Sequence, residues 1–198
     1  MRAAEVVVRA PLEVICRSRS WAGAVVLCTL TAGLTALAAQ VRIPLPFTPV
    51  PLTLQVFVVL LSAGLLGSRL GAISQLEYLG IGACGFPVFS GGKGGLAGLA
   101  GPTGGYLAGF VICSFAVGWI LERRRRSLAG TLAACIVGLA LIYLPGWLWL
   151  TRWMAAGGTL AARGAAAFSS GILPFLAVDI VKACAAAPVI WAVRRRCA

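Results

Sequence analysis

The sequence predicts an all-α, polytopic membrane protein with six transmembrane helices in one domain. Of its 198 residues, 60% are hydrophobic and only 11% are charged, whereas soluble domains carry about 25% charged residues. Most of the hydrophobic runs approach the roughly 20 residues that cross a bilayer. The basic residues, which give a formal net charge of +12, lie mainly at the ends of these runs. That distribution is typical of membrane orientation signals and argues against nucleic-acid binding.

Six runs are predicted to span the membrane, at residues 21–39, 52–66, 70–82, 104–121, 128–150 and 172–193. The second and third are short for a span. Residues 41–51, between the first two runs, contain four prolines. They predict an extended loop, because proline lacks the N–H group that a helix uses. A linker rich in small residues, 155–170, precedes the last run.

The cations predict the orientation of the bundle. With the N terminus inside, twelve of the 17 basic residues fall in cytoplasmic segments. Four fall outside, namely Arg42, Lys93, Arg152 and Arg163. Cytoplasmic loops carry such an excess of Lys and Arg. We therefore expect a multi-pass protein of the cell membrane with both termini cytoplasmic, in which residues 1–20 form a cytoplasmic tail and residues 21–198 form the transmembrane domain.

Two ionisable residues inside the sixth run are the strongest functional signal. Asp179 is the only aspartate in the chain, and Lys182 lies three residues further along, on the same face of the predicted helix. A charge at the bilayer centre costs at least about 2.5 kcal/mol, so intramembrane ions are usually paired and functional. The pair offers an acceptor and a cation to a polar ligand. The alternative is a self-neutralising pair that only tightens the helix bundle.

A glycine-rich segment around Lys93 is the second candidate site. Residues 67–109 hold 14 of the 25 glycines. Glycine lets backbone approach a ligand closely, and non-helical backbone at membrane depth lines a cavity or is buried in protein. The alternative is a flexible loop. Gly94 follows Lys93 where a phosphate-binding loop needs Ser or Thr, so no ATP site is predicted.

Two further patterns leave alternatives open. Glu77 lies inside the third run, where it either lines a cavity or braces helices. The first run carries small residues at every fourth position, on one helix face: Ala24, Cys28, Ala32 and Ala36. Such a face lets helices pack closely in lipid, either inside this chain or against a partner.

Four stretches of the sequence resemble the BioY family, the biotin-binding S component of energy-coupling-factor (ECF) vitamin transporters. They read IPLPFTPVPLTLQ (residues 43–55), GFPVFSGGKGG (85–95), GPTGGY (101–106) and LPFLAVDIVK (173–182). The resemblance implies a six-helix S-component fold and high-affinity binding and uptake of biotin near the outer face. It also implies two partners, a transmembrane coupling subunit and a pair of cytoplasmic ATPases, besides the lipid bilayer.

The resemblance also suggests roles for individual residues. The carboxylate of Asp179 would accept from the ureido N–H groups of biotin, and Lys182 would donate to the ureido oxygen. Lys93 and the loop amides would meet the biotin carboxylate. Further ligand contacts are assigned to Thr53, Gln55, Glu77, Phe86, Phe89 and Tyr106. Ala32 and Ala36 would dock the coupling subunit.

The residue inventory disfavours an enzyme. The chain has no histidine, the commonest general base and metal ligand, and one aspartate cannot form the pair of an aspartyl protease. Its seven cysteines include no CxxC pair and predict reduced thiols. We predict no catalytic residue, metal or cofactor. The remaining alternative is an ion-coupled carrier or channel for another small polar solute, which would need a continuous polar path across the membrane.

Overall fold

The computed structural model describes residues 21–123, 127–154 and 159–196. The predicted tail, 1–20, and the cations at 124–126 lie outside these ranges. The described residues form α1 (Trp21–Gln40), β1 (Arg42–Ile43), β2 (Leu52–Thr53), α2 (Gln55–Ala83), α3 (Gly95–Leu99), α4 (Gly104–Arg123), α5 (Leu128–Trp153), α6 (Leu160–Gly171) and α7 (Leu173–Arg196). Five of these helices are long and apolar enough to cross a membrane, and they are α1, α2, α4, α5 and α7.

Helix α2 is a hairpin of two transmembrane segments. Gly67 breaks it with φ 82° and ψ −174°, a conformation open essentially to glycine alone. Gln55 Nε2 then donates to Tyr78 Oη at 2.9 Å, although 23 residues of straight helix would separate them by about 35 Å. The segments 55–66 and 68–83 therefore run antiparallel. With these two segments counted separately, the prediction of six spans is confirmed.

Several predicted boundaries were wrong. The second span begins at Gln55 rather than at residue 52, because Leu52–Thr53 forms β2 and pairs with β1. The third begins at residue 68, directly after the break. Most of the predicted linker 155–170 is helical, since α6 begins at Leu160 behind a Thr159 cap whose side chain accepts from Ala162 N. The fifth and sixth spans each extend three residues further than predicted.

Helix α4 packs closely against α2 and α5 through glycines. A Cβ added at Gly109 would lie 2.8 Å from Ile142 Cα in α5, and one added at Gly118 would lie 2.6 Å from Ser68 Cα. Both separations are shorter than any van der Waals contact, so a larger residue would push the helices apart. Small residues at such crossings are typical of membrane bundles.

The small-residue face of α1 packs inside the chain. Cys28 Sγ lies 3.5 Å from Leu70 O, Ala32 is only 1% exposed, and Ala36 packs half-buried against the core. Ala32 is thus enclosed by its own chain, and the docking role assigned to Ala32 and Ala36 stays a prediction. Among the two alternatives for this face, its burial favours internal packing.

The bundle has two ends with different chemistry. The cavity end comprises the start of α2, the loop 84–94, the start of α4, the end of α5 and the start of α7. At the opposite end, Glu122 accepts from Ser68 N at 2.7 Å and so caps segment 68–83. Arg194 donates there to Gly64 O at 3.1 Å and to Leu121 O at 2.8 Å. These hydrogen bonds connect α2, α4 and α7 at the end of the bundle opposite the cavity.

The break at Gly67 predicts a specific sensitivity to substitution. Gly67→Ala should lower the free energy of unfolding by about 1–3 kcal/mol, because alanine is strained in this backbone conformation. The apparent Tm in detergent measures the loss. Gly80→Ala is the matched control, since Gly80 lies in the same hairpin and a Cβ there meets nothing within 4 Å. Equal loss in both variants would contradict the hairpin geometry.

Candidate ligand-binding site

A cavity opens between α2, α4, α5 and α7 at the cavity end of the bundle, and we call it the inner cavity. Its apolar wall consists of Val50, Pro51, Val56, Phe89, Leu107, Phe110, Ile142 and Phe175. Its polar groups come from Thr53, Gln55, Ser90, Thr103, Tyr106, Tyr143, Asp179 and Lys182. A mostly apolar enclosure with a few convergent polar groups is the usual form of a small-molecule site.

The predicted pair Asp179 and Lys182 forms a buried ion pair on the wall of the inner cavity. Lys182 Nζ lies 2.6 Å from Asp179 Oδ1 and also donates to Thr53 O at 2.6 Å. Tyr143 Oη donates to Asp179 Oδ2 at 2.6 Å. Asp179 and Lys182 are 4% and 8% exposed. Each charge is therefore paired, and each carboxylate oxygen has a donor, which is the condition for holding ions in a dry interior.

The ion pair keeps hydrogen-bonding capacity for a ligand. A lysine ammonium has three N–H donors, and the described residues use two of those on Lys182. Each oxygen of Asp179 accepts one described bond, although a carboxylate has about four lone-pair sites. The wall thus presents an N–H donor beside an anionic acceptor. That arrangement matches a ligand that carries a carbonyl oxygen next to N–H groups.

A polar chain fixes the cavity wall to the glycine-rich loop. Thr53 Oγ1 lies 3.2 Å from Gln55 Oε1, and Gln55 Nε2 donates to Tyr78 Oη. Tyr78 Oη in turn donates to Val88 O at 3.2 Å. The Tyr78 ring meets Phe89 edge-on, with centroids 5.6 Å apart. Phe89, which the sequence analysis assigned to ligand contact, is thereby held against the inner cavity.

Tyr106 lines the inner cavity with its ring and anchors α7 with its hydroxyl. Its Oη donates to Gly171 O at 2.8 Å, at the junction between α6 and α7. Gly146 lies directly against the ring. The hydroxyl bond therefore sets the start of the helix that carries Asp179. The sequence pointed to Tyr106 as a cavity residue but gave no sign of this second contact.

Lys93 lies in a second cavity that adjoins the first, which we call the outer cavity. The two share Pro51, Phe89, Ser90 and Thr103 as lining residues. Arg42 also lines the outer cavity, together with residues of the proline-rich loop and with Ala97, Gly98, Gly101 and Pro102. Lys93 is thus separated from Asp179 by a shared rim.

Two predicted site residues lie outside both cavities. Glu77 Oε1 accepts from Thr29 Oγ1 at 2.6 Å and is not among the lining residues of either cavity. This bond braces α1 against α2, one of the two roles left open. Phe86, expected to enclose the ligand, is 60% exposed. Phe86 lies three residues before Phe89, whose side chain is buried, but the Phe86 side chain points away from the cavities.

Tyr143 is the main site residue that the sequence analysis missed. It lies in the fifth span, where it looked like one more large side chain of an apolar helix. Its signal was the phenol itself, because a tyrosine buried within a span usually needs a partner for its hydroxyl. Asp179 in another span was the evident acceptor to consider.

The six-segment bundle and its enclosed cavity, with a buried ion pair in the wall, are typical of a membrane protein that binds a small, partly apolar solute. The chain belongs to the BioY family, whose model matches residues 11–198. It is 43% identical over 160 residues to a probable biotin transporter BioY of Pyrococcus horikoshii, covering 81% of this chain and 89% of that protein. It is 41% identical over 145 residues to the biotin transporter BioY of Thermotoga maritima, covering 73% and 81% respectively.

A solved structure shares the fold. The crystal structure of the S component for biotin from an ECF-type ABC transporter superposes with a TM-score of 0.76. The match covers 87% of this chain and 90% of that one, at 25% sequence identity. The S-component fold predicted from the sequence is therefore confirmed.

The ion pair predicts an asymmetry between single and double substitutions. Lys182→Met should destabilise the protein by about 3–5 kcal/mol, because it leaves the Asp179 carboxylate buried without its cation. The double variant Asp179→Leu with Lys182→Met should recover most of that loss, because both charges are removed. Apparent Tm in detergent compares the variants. If the loss of stability in the double variant equals the sum of the losses in the two single variants, the pairing is contradicted.

Proposed function

We propose that this chain binds biotin in the inner cavity with high affinity and serves as the substrate-binding S component of an ECF-type transporter. The observation that carries the proposal is the buried Asp179–Lys182 pair, which presents an acceptor and a donor side by side on the cavity wall. The names of the related transporters and of the solved S component support it.

The chemistry of biotin matches the distribution of polar and apolar groups. Its ureido ring has two N–H donors and a carbonyl oxygen. Asp179 accepts from the N–H groups, while Lys182 pairs with Asp179 and donates its remaining N–H to the ureido oxygen. The thioether ring and the alkyl tail lie against apolar side chains such as Phe110 and Phe175. Gln55, Thr53, Tyr106 and Phe89 complete the enclosure.

Transport requires partners that supply energy. The proposed partners are a transmembrane coupling subunit and a pair of cytoplasmic ATPases, which an S component of an ECF-type transporter implies. This chain then contributes binding and no catalysis. The docking role of Ala32 and Ala36 stays a prediction, although Ala32 is enclosed by its own chain.

The alternative of a channel or ion-coupled carrier would need a polar path from the ion pair to the opposite end. Along that direction α7 presents apolar side chains that are at most 1% exposed: Ala183, Ala186, Ala187 and Ile190. Ile190 packs onto Gly64 of α2. Binding without flux is therefore the favoured activity. Ion or solute flux through liposomes containing this chain alone would support the carrier instead.

The cavity end is proposed to face the cell exterior. Arg69, Arg123 and residues 194–196 lie at the opposite end, in keeping with a cytoplasmic surface rich in cations. A variant that keeps Cys84 as its only cysteine should react with a membrane-impermeant thiol reagent in intact cells, because Cys84 is exposed at the cavity end. A variant whose only cysteine is Ser127→Cys should react only after permeabilisation. The reverse pattern would invert the orientation.

The ureido contact predicts which substitution weakens binding. Asp179→Asn should weaken biotin binding by about 1.5–3 kcal/mol, the range for a hydrogen bond to a charged group. Isothermal titration of the purified protein measures the change. Glu77→Gln is the matched control, because it also replaces a carboxyl group by an amide within a span, and Glu77 lines neither cavity. The proposal fails if both variants bind biotin as tightly as the unmodified chain.

A further inference from the structure

We infer that the acyl chain of an outer-leaflet lipid occupies a groove on the side of the bundle and covers the ion pair of the inner cavity from the bilayer. The groove, which we call the lateral groove, lies between the β1–β2 ladder, the start of α2 and the middle of α7. Its apolar lining includes Ile43, Leu54, Phe57, Val178 and Val181. This inference rests on the proposed function and deepens it, because it adds a lipid to the wall of the same site.

The lateral groove opens toward the bilayer. Ile43, Leu54 and Val181 are 59%, 40% and 67% exposed, although each carries a large aliphatic side chain. Such side chains are stable on the outside of a transmembrane bundle, because the surrounding hydrocarbon is as apolar as leucine. Facing water, the same surface would carry the free-energy cost of exposed apolar area. The groove is therefore filled by a component of the membrane.

The depth of the lateral groove corresponds to the outer leaflet. The arginines at 194–196 mark the cytoplasmic end of α7 in the proposed orientation. Ala185 and Val178, which both line the groove, lie about 14 Å and 24 Å from Arg194 along the helix, at a rise of about 1.5 Å per residue. The hydrocarbon core is about 30 Å thick. The groove thus begins near the midplane and continues outward, over the depth range of one acyl chain.

The lining favours a lipid chain over the helix of another protein. Of the described residues that line the groove, only Thr53 and Lys182 are polar. Both are engaged within the chain, since Lys182 Nζ binds Asp179 Oδ1 and Thr53 O, and Thr53 Oγ1 lies 3.2 Å from Gln55 Oε1. Apart from Ala185, the apolar lining consists of larger side chains. Helices in lipid usually associate through small residues and polar contacts, whereas a flexible hydrocarbon chain needs neither.

The lateral groove and the inner cavity are separated by a thin partition. Thr53 and Lys182 are the two lining residues that they share, and the hydrogen bond from Lys182 Nζ to Thr53 O connects α7 to β2 across it. Hydrogen bonds of a buried polar network are stronger in a medium of low dielectric constant. A chain in the groove keeps interfacial water away from the bilayer side of Lys182. Ligand binding should therefore depend on the groove staying apolar.

Photocrosslinking tests the occupant. The full-length chain is reconstituted in phosphatidylglycerol vesicles that contain a small fraction of the same lipid with a diazirine on its acyl chain, and labelled residues are mapped by mass spectrometry. A chain held in the groove contacts it for longer than bulk lipid contacts an open surface, so Val181 should be labelled several-fold more than Leu144. Leu144 is the reference because it is 54% exposed and lies outside the groove, at a similar distance from the outer end of its own helix.

Two tryptophan variants link the labelling to the groove itself. Val181→Trp fills the groove with a side chain and should lower the labelling of Leu54 several-fold. Val189→Trp is the matched control, because Val189 lies on the same helix, is 44% exposed and does not line the groove. It should leave the labelling of Leu54 unchanged.

Biotin titration in the same vesicles tests the cover over the ion pair. Val181→Asn places a polar group in the groove and admits water beside Lys182, so it should weaken biotin binding about 5-fold, as expected for roughly one net hydrogen bond. Val189→Asn is the matched control and should bind biotin like the unmodified chain. Apparent Tm verifies that each variant folds.

The outcomes separate this inference from the proposed function. Equal labelling of Val181 and Leu144, or of Leu54 in both tryptophan variants, would show that no lipid chain is held in the groove. Weak labelling of Val181 that rises when the protein is diluted in the vesicles would assign the groove to a second copy. Equal loss of biotin affinity in both asparagine variants would overturn the covering role. If the unmodified chain binds no biotin, the proposed function fails, while the labelling still decides what occupies the groove.

Discussion

The requirement to satisfy two opposite charges inside an apolar bundle governs the rest of this structure. Lys182 takes its second partner from Thr53 O, on a strand 129 positions away in the sequence, and Asp179 takes Tyr143 from α5. Removing either charge alone would leave its partner buried and unpaired, which is costly in a medium without water. The pair therefore fixes the packing of α7 against α5 and β2. Residues of these three elements form part of the wall of the inner cavity.

The turn at Gly67 makes the same arrangement possible from the other end of the bundle. A continuous helix would place Gln55 and Tyr78 on opposite sides of the membrane, whereas the hairpin brings them within hydrogen-bonding distance. Tyr78 then supports Phe89 and the loop backbone at Val88. Glu122 satisfies the amide of Ser68 that the break exposes. The conformation of Gly67, at the end of the bundle opposite the cavity, therefore determines which residues of α2 face each other at the cavity end.

The sequence was informative wherever a single residue type dominates the physics. Asp179 and Lys182 could be predicted as a pair because few other reasons place two charges within a span. The six segments could be counted from hydropathy. The proline-rich loop was correctly predicted to be non-helical, but it is a strand only at Arg42–Ile43 and turns at residues 46–47. Boundaries were less predictable. The start of the second span depends on two strand residues that pair across the loop, and the helicity of 160–171 depends on a cap and on tertiary support. Tyr143 and the turned-out Phe86 depend on packing between elements distant in sequence.

The separation of neutral and cationic regions has a consequence for how a ligand is recognised. An ion pair that cancels its own charge gives little attraction at a distance, but it provides directional hydrogen bonds once water is excluded. Exposed cations at the rim do the opposite, since they act over the Debye length of about 8 Å at physiological salt and impose less geometry. The inner cavity therefore suits directional hydrogen bonding, and the outer cavity suits long-range attraction of anions. The β1–β2 ladder joins the two, because Arg42 faces the outer cavity from one strand while its partner Thr53 holds Lys182 from the other.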